Sequence, residues 1–164
     1  MTKVNYGSIS RIVSAKSMTC MLSHAKSLSE RKVFLFCYTV NMKIIAANDV
    51  DYVNKPEGTS VHYYTFNDYE VHYNDQAPHT VQTWHHHEKI WETLYIIEGE
   101  LLAEWKEGDE LKKQVVKAGD LIQTERSAHT FSNTSDSVVK FIVFKHMSSK
   151  ENYREILSTD KVLD

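Results

Sequence analysis

The 164-residue chain is the size of one domain and long enough to bury roughly 70% of its unfolded surface in a single core. Nineteen Lys and Arg against 22 Asp and Glu leave a net charge of −3 with no basic block, which excludes a phosphate backbone as the natural partner. Two cysteines, Cys20 and Cys37, are too few for a disulfide framework and lie in no CxxC, so they read as free thiols of a cytoplasmic protein.

Taken in chain order, Thr2 to Glu30 is rich in Ser and Lys and shows no sustained period of two or of 3.6. The apolar run that follows, "VFLFCYTV" from Val33 to Val40, is far short of the ~20 residues a spanning helix needs, so no membrane segment is expected. Residues 1–41 are read as an N-terminal extension and residues 42–164 as the functional domain. From Ser60 onward short apolar and β-branched runs alternate with turn signals, the pattern of an all-β sandwich or barrel. "VHYYTF" and "YEVHY", separated by Asn67 and Asp68, form a hairpin signal. "TLYII", "LLAEW", "KKQVV", "LIQT" and "VVKFIVF" continue the series. Near the end Ser148 and Glu151 have capping-box spacing, and Tyr153, Ile156 and Leu157 share one helical face, so a short helix is expected at about 149–158.

Chemistry concentrates in "TWHHHEKIWETLYIIEG", Thr83 to Gly99. Strand alternation sends His85 and His87 to one face and His86 to the other. Glu92 opens the next strand, where its carboxylate can stand beside the two imidazoles. Two imidazoles and a carboxylate suit a divalent first-row transition metal, and His129 in "AHTFSN" offers a further nitrogen.

These residues resemble the cupin superfamily. His85, His87, Glu92 and Gly99 fit H-x-H-x4-E-x6-G, and Gly119, His129 and Asn133 fit the second element, in which a glycine precedes H-x3-N. The resemblance implies a small single-domain cupin, a jelly-roll β-barrel whose interior binds iron, manganese, nickel or zinc through His85, His87, Glu92 and His129. Three features depart from the family pattern. His79 stands where the family usually has a glycine, Glu125 to Ser127 replace its usual P-x-G, and the stretch from Gly119 to His129 is shorter than usual.

Other side chains are read more plainly. His86 faces outward; His62, His72 and His79 are ordinary strand histidines; Trp84, Trp91 and Trp105 pack the barrel. Of Tyr63, Tyr73 and Tyr95, any that turns inward offers a hydroxyl beside the metal. Glu125 and Arg126 are loop charges near the mouth. The functional expectation is a metal-binding cupin acting on a small polar molecule inside the barrel, as a dioxygenase, decarboxylase, isomerase or lyase. The competing expectation is a non-catalytic binding module with a structural metal. The open sheet edges of such a barrel also suggest a homodimer.

Overall fold

The computed structural model describes residues 17–19, 38–40, 42–148 and 151–164. The chain divides into two compact units, 1–45 and 46–164. In the first, two short strands, β1 (Ser17–Thr19) and β2 (Tyr38–Val40), pair antiparallel. The remainder of the expected extension, with Cys20 and Cys37, lies outside the described residues.

The second unit is built from strands because its residues alternate. One sheet contains β3 (Asp51–Asn54), β4 (Thr59–Thr65), β5 (Tyr69–Gln76), β8 (Trp91–Glu98), β11 (Leu121–Gln123) and β13 (Val139–His146), in the order β11-β8-β13-β5-β4-β3. The other contains β7 (His85–His87), β9 (Glu100–Glu107), β10 (Glu110–Lys117), β12 (His129–Asn133) and β14 (Lys161–Leu163), in the order β10-β9-β12-β7-β14, with β6 (Thr80–Val81) also on β12. Every pairing is antiparallel. The expected all-β, cupin-like jelly roll is the architecture observed.

The inward faces of the two sheets meet in one apolar cluster of Leu94, Ile96, Leu101, Ala103, Val116, Phe131, Val139, Phe141 and Val143. Three of these strands carry the same inward row onward into polar residues. β8 runs Glu92, Leu94, Ile96; β13 runs Val139, Phe141, Val143, Lys145; β12 runs His129, Phe131, Asn133. With a period of two, the apolar part of each row anchors the sheet and its end delivers an ionisable group to one end of the barrel. At the opposite end Asn133, 1% exposed, ties the strands together. Its amide nitrogen donates to the carbonyls of Gln76, Ala77 and Ser137, and its oxygen accepts from Ser135.

Backbone conformation accounts for the motif glycine and for two of the departures from the pattern. Gly99 joins β8 to β9 at φ +83°, and a Cβ there would come within 2.9 Å of the Val139 side chain, so only glycine fits. His79, in the family's glycine position, sits at φ +56°, and Glu125 and Arg126 at +49° and +64°. Three non-glycine residues thus hold the left-handed conformation, each at a cost of roughly 1–2 kcal/mol. His79 is held by its ring nitrogen against Asp136 at 2.8 Å, and Arg126 by stacking over the Trp91 ring at 4.5 Å.

The expected helix is present as α1 (Tyr153–Leu157), with Tyr153 buried and Ile156 and Leu157 half-buried. Its cap is Asn152, not Ser148: the Asn152 side chain accepts from the Arg154 backbone N–H and donates to Glu155. Glu151, the acidic member of the expected capping box, instead takes the Lys89 ammonium at 2.8 Å.

Candidate metal centre

His85 and His87 project inward from β7 while His86 turns out, its Nδ1 2.8 Å from the Asp164 carboxylate. His85 and His87 are 4% and 3% exposed. β12 pairs with β7 so that His129 lies opposite His85, and the two rings stand 4.5 Å apart. Glu92, on the other sheet, faces them and is also buried. Ligand atoms of His85, Glu92 and His129 all fall within 4.8 Å of one another.

The tautomers follow from hydrogen bonds on the outer side of each ring. His85 Nδ1–H donates to the Thr83 carbonyl at 2.8 Å, and His129 Nδ1–H donates to the Ser127 carbonyl at 2.7 Å. A carbonyl only accepts, so each Nδ1 carries a proton, and in the neutral imidazole each Nε2 then presents a lone pair to the interior. His129 Nε2 is buried with no hydrogen-bond partner; its contact with Glu92 Oε1, at 3.5 Å, is too long to satisfy it. A buried orphan lone pair beside a second imidazole and a carboxylate is the arrangement a divalent ion completes, and the donor set suits a first-row transition metal.

His87 is held differently. Its Nδ1 donates to Asp160 Oδ2 at 3.0 Å, and the same carboxylate accepts the backbone N–H groups of Lys89 and Ile90. Its Nε2 lies 3.2 Å from Glu92 Oε2, with the Lys145 ammonium 3.1 Å from Nε2 and 2.9 Å from Oε2. Lys145 therefore bridges His87 and Glu92. It stands on β13 opposite Glu92 of β8 on one side and Glu70 of β5 on the other.

Beyond it Glu70 Oε2 meets His72 Nε2 at 2.8 Å, and Thr65 donates to Glu70 Oε1. His72 is accordingly a buried histidine that donates to a carboxylate, and not an ordinary strand histidine. Tyr63 faces in and packs edge-on to His72 at 4.5 Å, whereas Tyr95 is 46% exposed and Tyr73 lies on the outer face with His62.

Electrostatics favour the neutral imidazole and the ionised carboxylate. Burial pushes His85 down to about 3, opposed by the nearby Glu92 charge. Burial alone would raise Glu92, but the charge of the Lys145 ammonium outweighs it and holds the carboxyl well below its ordinary range. His72 is lowered by burial against the pull of Glu70.

These shifts fix the sign of the pH dependence. An unfolded histidine binds its proton near pH 6.5, before the folded His72 and His85 do, so stability falls as pH drops below that value, and for His85 the fall continues toward about 3. We expect metal-stripped protein to lose up to about 1.4 kcal/mol per pH unit for each of these histidines. Urea midpoints measured from pH 7.5 to 4.5 test this, and His72→Gln should flatten the slope; an unchanged slope refutes the assignment.

A cavity of about 490 Å³ lies between β9, β10, β11 and β12, with Trp105, Gln114, Val116, Ile122 and Phe131 on its walls and His129 at its edge. Glu125 also lines it, while Arg126 is turned away onto Trp91. Lys145 and Asp160 carry no motif, but Lys145 had one legible signal: it occupies an inward position in a row otherwise made of Val139, Phe141 and Val143.

Residues 73–145 match the cupin domain family. Among solved structures, a variant of oxalate decarboxylase from Bacillus subtilis superposes with a TM-score of 0.59 at 14% identity, over 73% of this chain and 32% of that one. A sugar phosphate isomerase of the cupin superfamily from Silicibacter pomeroyi gives 0.53 at 16%, over 65% and 76%. Oxalate oxidase in complex with the substrate analogue glycolate gives 0.50 at 19%, over 59% and 55%, so this chain spans about half of that protein. At such identities the likeness shows the fold. No curated protein matches the sequence. Among the described residues no helix is long and apolar enough to cross a membrane.

Proposed function

We propose that this cupin-domain chain binds a divalent transition-metal ion, iron, manganese, nickel or zinc, at the cluster of His85, Glu92, His129 and His87, and acts on a small polar molecule held in the adjoining cavity. The observation that carries the reading is the buried, unpartnered His129 Nε2, set within ligand distance of His85 and Glu92. A bound ion would supply Lewis acidity or oxygen activation. The chain's own contribution is the rest: Thr83 and Ser127 orient two rings, Asp160 orients the third, and Trp105, Val116, Ile122 and Phe131 form the apolar part of a cavity wall that Gln114, Gln123 and Glu125 make polar elsewhere. The chemical class of the turnover, whether dioxygenase, decarboxylase, isomerase or lyase, follows from which ion binds and which small molecule fills the cavity.

Metal-stripped protein titrated with each of the four ions is expected to take up one equivalent and to melt about 5–10 °C higher at an ion concentration 100 times Kd. His129→Ala should abolish the shift. Uptake below about 0.2 equivalents for every ion, with no change in Tm, removes the basis of the reading. Pairing with a second copy through the open edges at β3 or β10 belongs to the same proposal, since among the described residues each of these strands has one neighbour. A light-scattering mass equal to the 19.0 kDa monomer at all concentrations would count against it.

A further inference from the structure

Lys145 is the one feature of the centre that an ion-binding site does not call for. Its ammonium lies 2.9 Å from Glu92 Oε2 and 3.1 Å from His87 Nε2, and those two atoms are themselves 3.2 Å apart. It thus takes one carboxylate oxygen and one imidazole lone pair, both of which are metal donors in the four-ligand arrangement. The other two imidazoles and the second carboxylate oxygen are left over. His85, His129 and Glu92 are also the three residues whose donor atoms cluster within 4.8 Å.

We propose that Lys145 is a built-in competitor for the ion, which keeps His87 out of the ligand set and reduces the centre to two imidazoles and one carboxylate. The inference rests on the metal-binding reading above. Three observations support it. His87 is locked from behind by Asp160, which fixes Nδ1–H as a donor and leaves Nε2 as the acceptor that Lys145 uses. The Lys145 side chain is only 12% exposed, on a central strand between Glu70 and Glu92, so solvent is not an easy alternative. Glu70, the carboxylate opposite it on β5, is already engaged by His72 and Thr65. A cation fixed this close to the donors repels a second, divalent one, because in a buried site of low dielectric the charges are poorly screened. The benefit of the arrangement is open coordination: with three protein ligands instead of four, an octahedral ion keeps three positions for a substrate.

The experiment is a set of calorimetric titrations with Zn²⁺ and Co²⁺, together with the visible spectrum of the Co²⁺ form, which reports coordination. In the wild-type background His85→Ala should weaken binding at least ~100-fold, whereas His87→Ala, which removes no ligand, should change it by less than about threefold. Lys145→Met should tighten binding roughly 10- to 100-fold and alter the Co²⁺ spectrum as His87 joins the set. Adding His87→Ala to Lys145→Met should then cancel the gain. Lys145→Gln, which retains hydrogen bonds without charge, covers the case in which the Met variant folds poorly. Lys145→Arg, which retains the charge, should remain close to wild type. If His87→Ala costs as much as His85→Ala in the wild-type chain, or if removing the lysine charge leaves affinity unchanged, His87 is an ordinary ligand and the proposal falls while the metal-binding reading stands. If neither wild type nor the lysine variants bind either ion, both fall together.

Discussion

Glu92→Ala is expected to destabilise the metal-free protein by about 3–5 kcal/mol and to abolish divalent-ion binding, because one carboxylate serves two purposes. It is 4% exposed and neutralises the Lys145 ammonium, which has His87 as its other contact in the centre. Removing it strands a buried cation next to three imidazoles, and breaking a buried ion pair from one side costs far more than the pair is worth. The cost is a large share of the roughly 5–15 kcal/mol that holds a domain of this size together. Glu92→Gln separates the two purposes. It preserves shape and an acceptor for Lys145, so it should fold, yet it offers an ion no charge. Chemical denaturation and metal titration of both variants check this. A loss below about 1 kcal/mol for Glu92→Ala would mean that Lys145 finds another partner and that the centre is less closed than its burial implies.

Phe131→Ala is expected to cost about 3–5 kcal/mol in unfolding free energy, the range for deleting a buried aromatic side chain. Phe131 is 1% exposed at the middle of β12, inside the apolar cluster between the sheets, and its ring lies 5.4 Å from that of His129. The same substitution should weaken metal binding, because His129 is aimed by the strand that Phe131 anchors. A stable variant that has lost affinity would show positioning alone; a variant losing less than about 1.5 kcal/mol would show that the two sheets can close over the cavity.

Much of this was legible in the chain itself. Alternation in "HHH" separated His85 and His87 from His86, and the structure places the first two inside and the third outside beside Asp164. The strand series from Val61 to Phe144 appears as strands because a period of two is a local property, readable without knowing what lies opposite. Gly99 was legible as the turn between two such runs, whereas its close approach to the Val139 side chain depends on a strand remote in the sequence. The helix was legible as an apolar stripe, whereas its cap was not: Ser148 and Asn152 have equal claims by type, and the pairing of Glu151 with Lys89 across 62 residues decided between them.

What the sequence determined by itself was a two-sided β pattern and the residue types able to hold an ion, because faces and spacing follow from backbone geometry alone. What only the tertiary structure decided was the electrostatic company those residues keep. Lys145 lies 58 positions from His87, and Asp160 lies 73 positions from it, and no periodicity links them. Which charge a buried ligand meets depends on which strands become neighbours, and in this barrel that is set by the packing of the shared apolar core, where β13 settles between β5 and β8 and brings its lysine to Glu92.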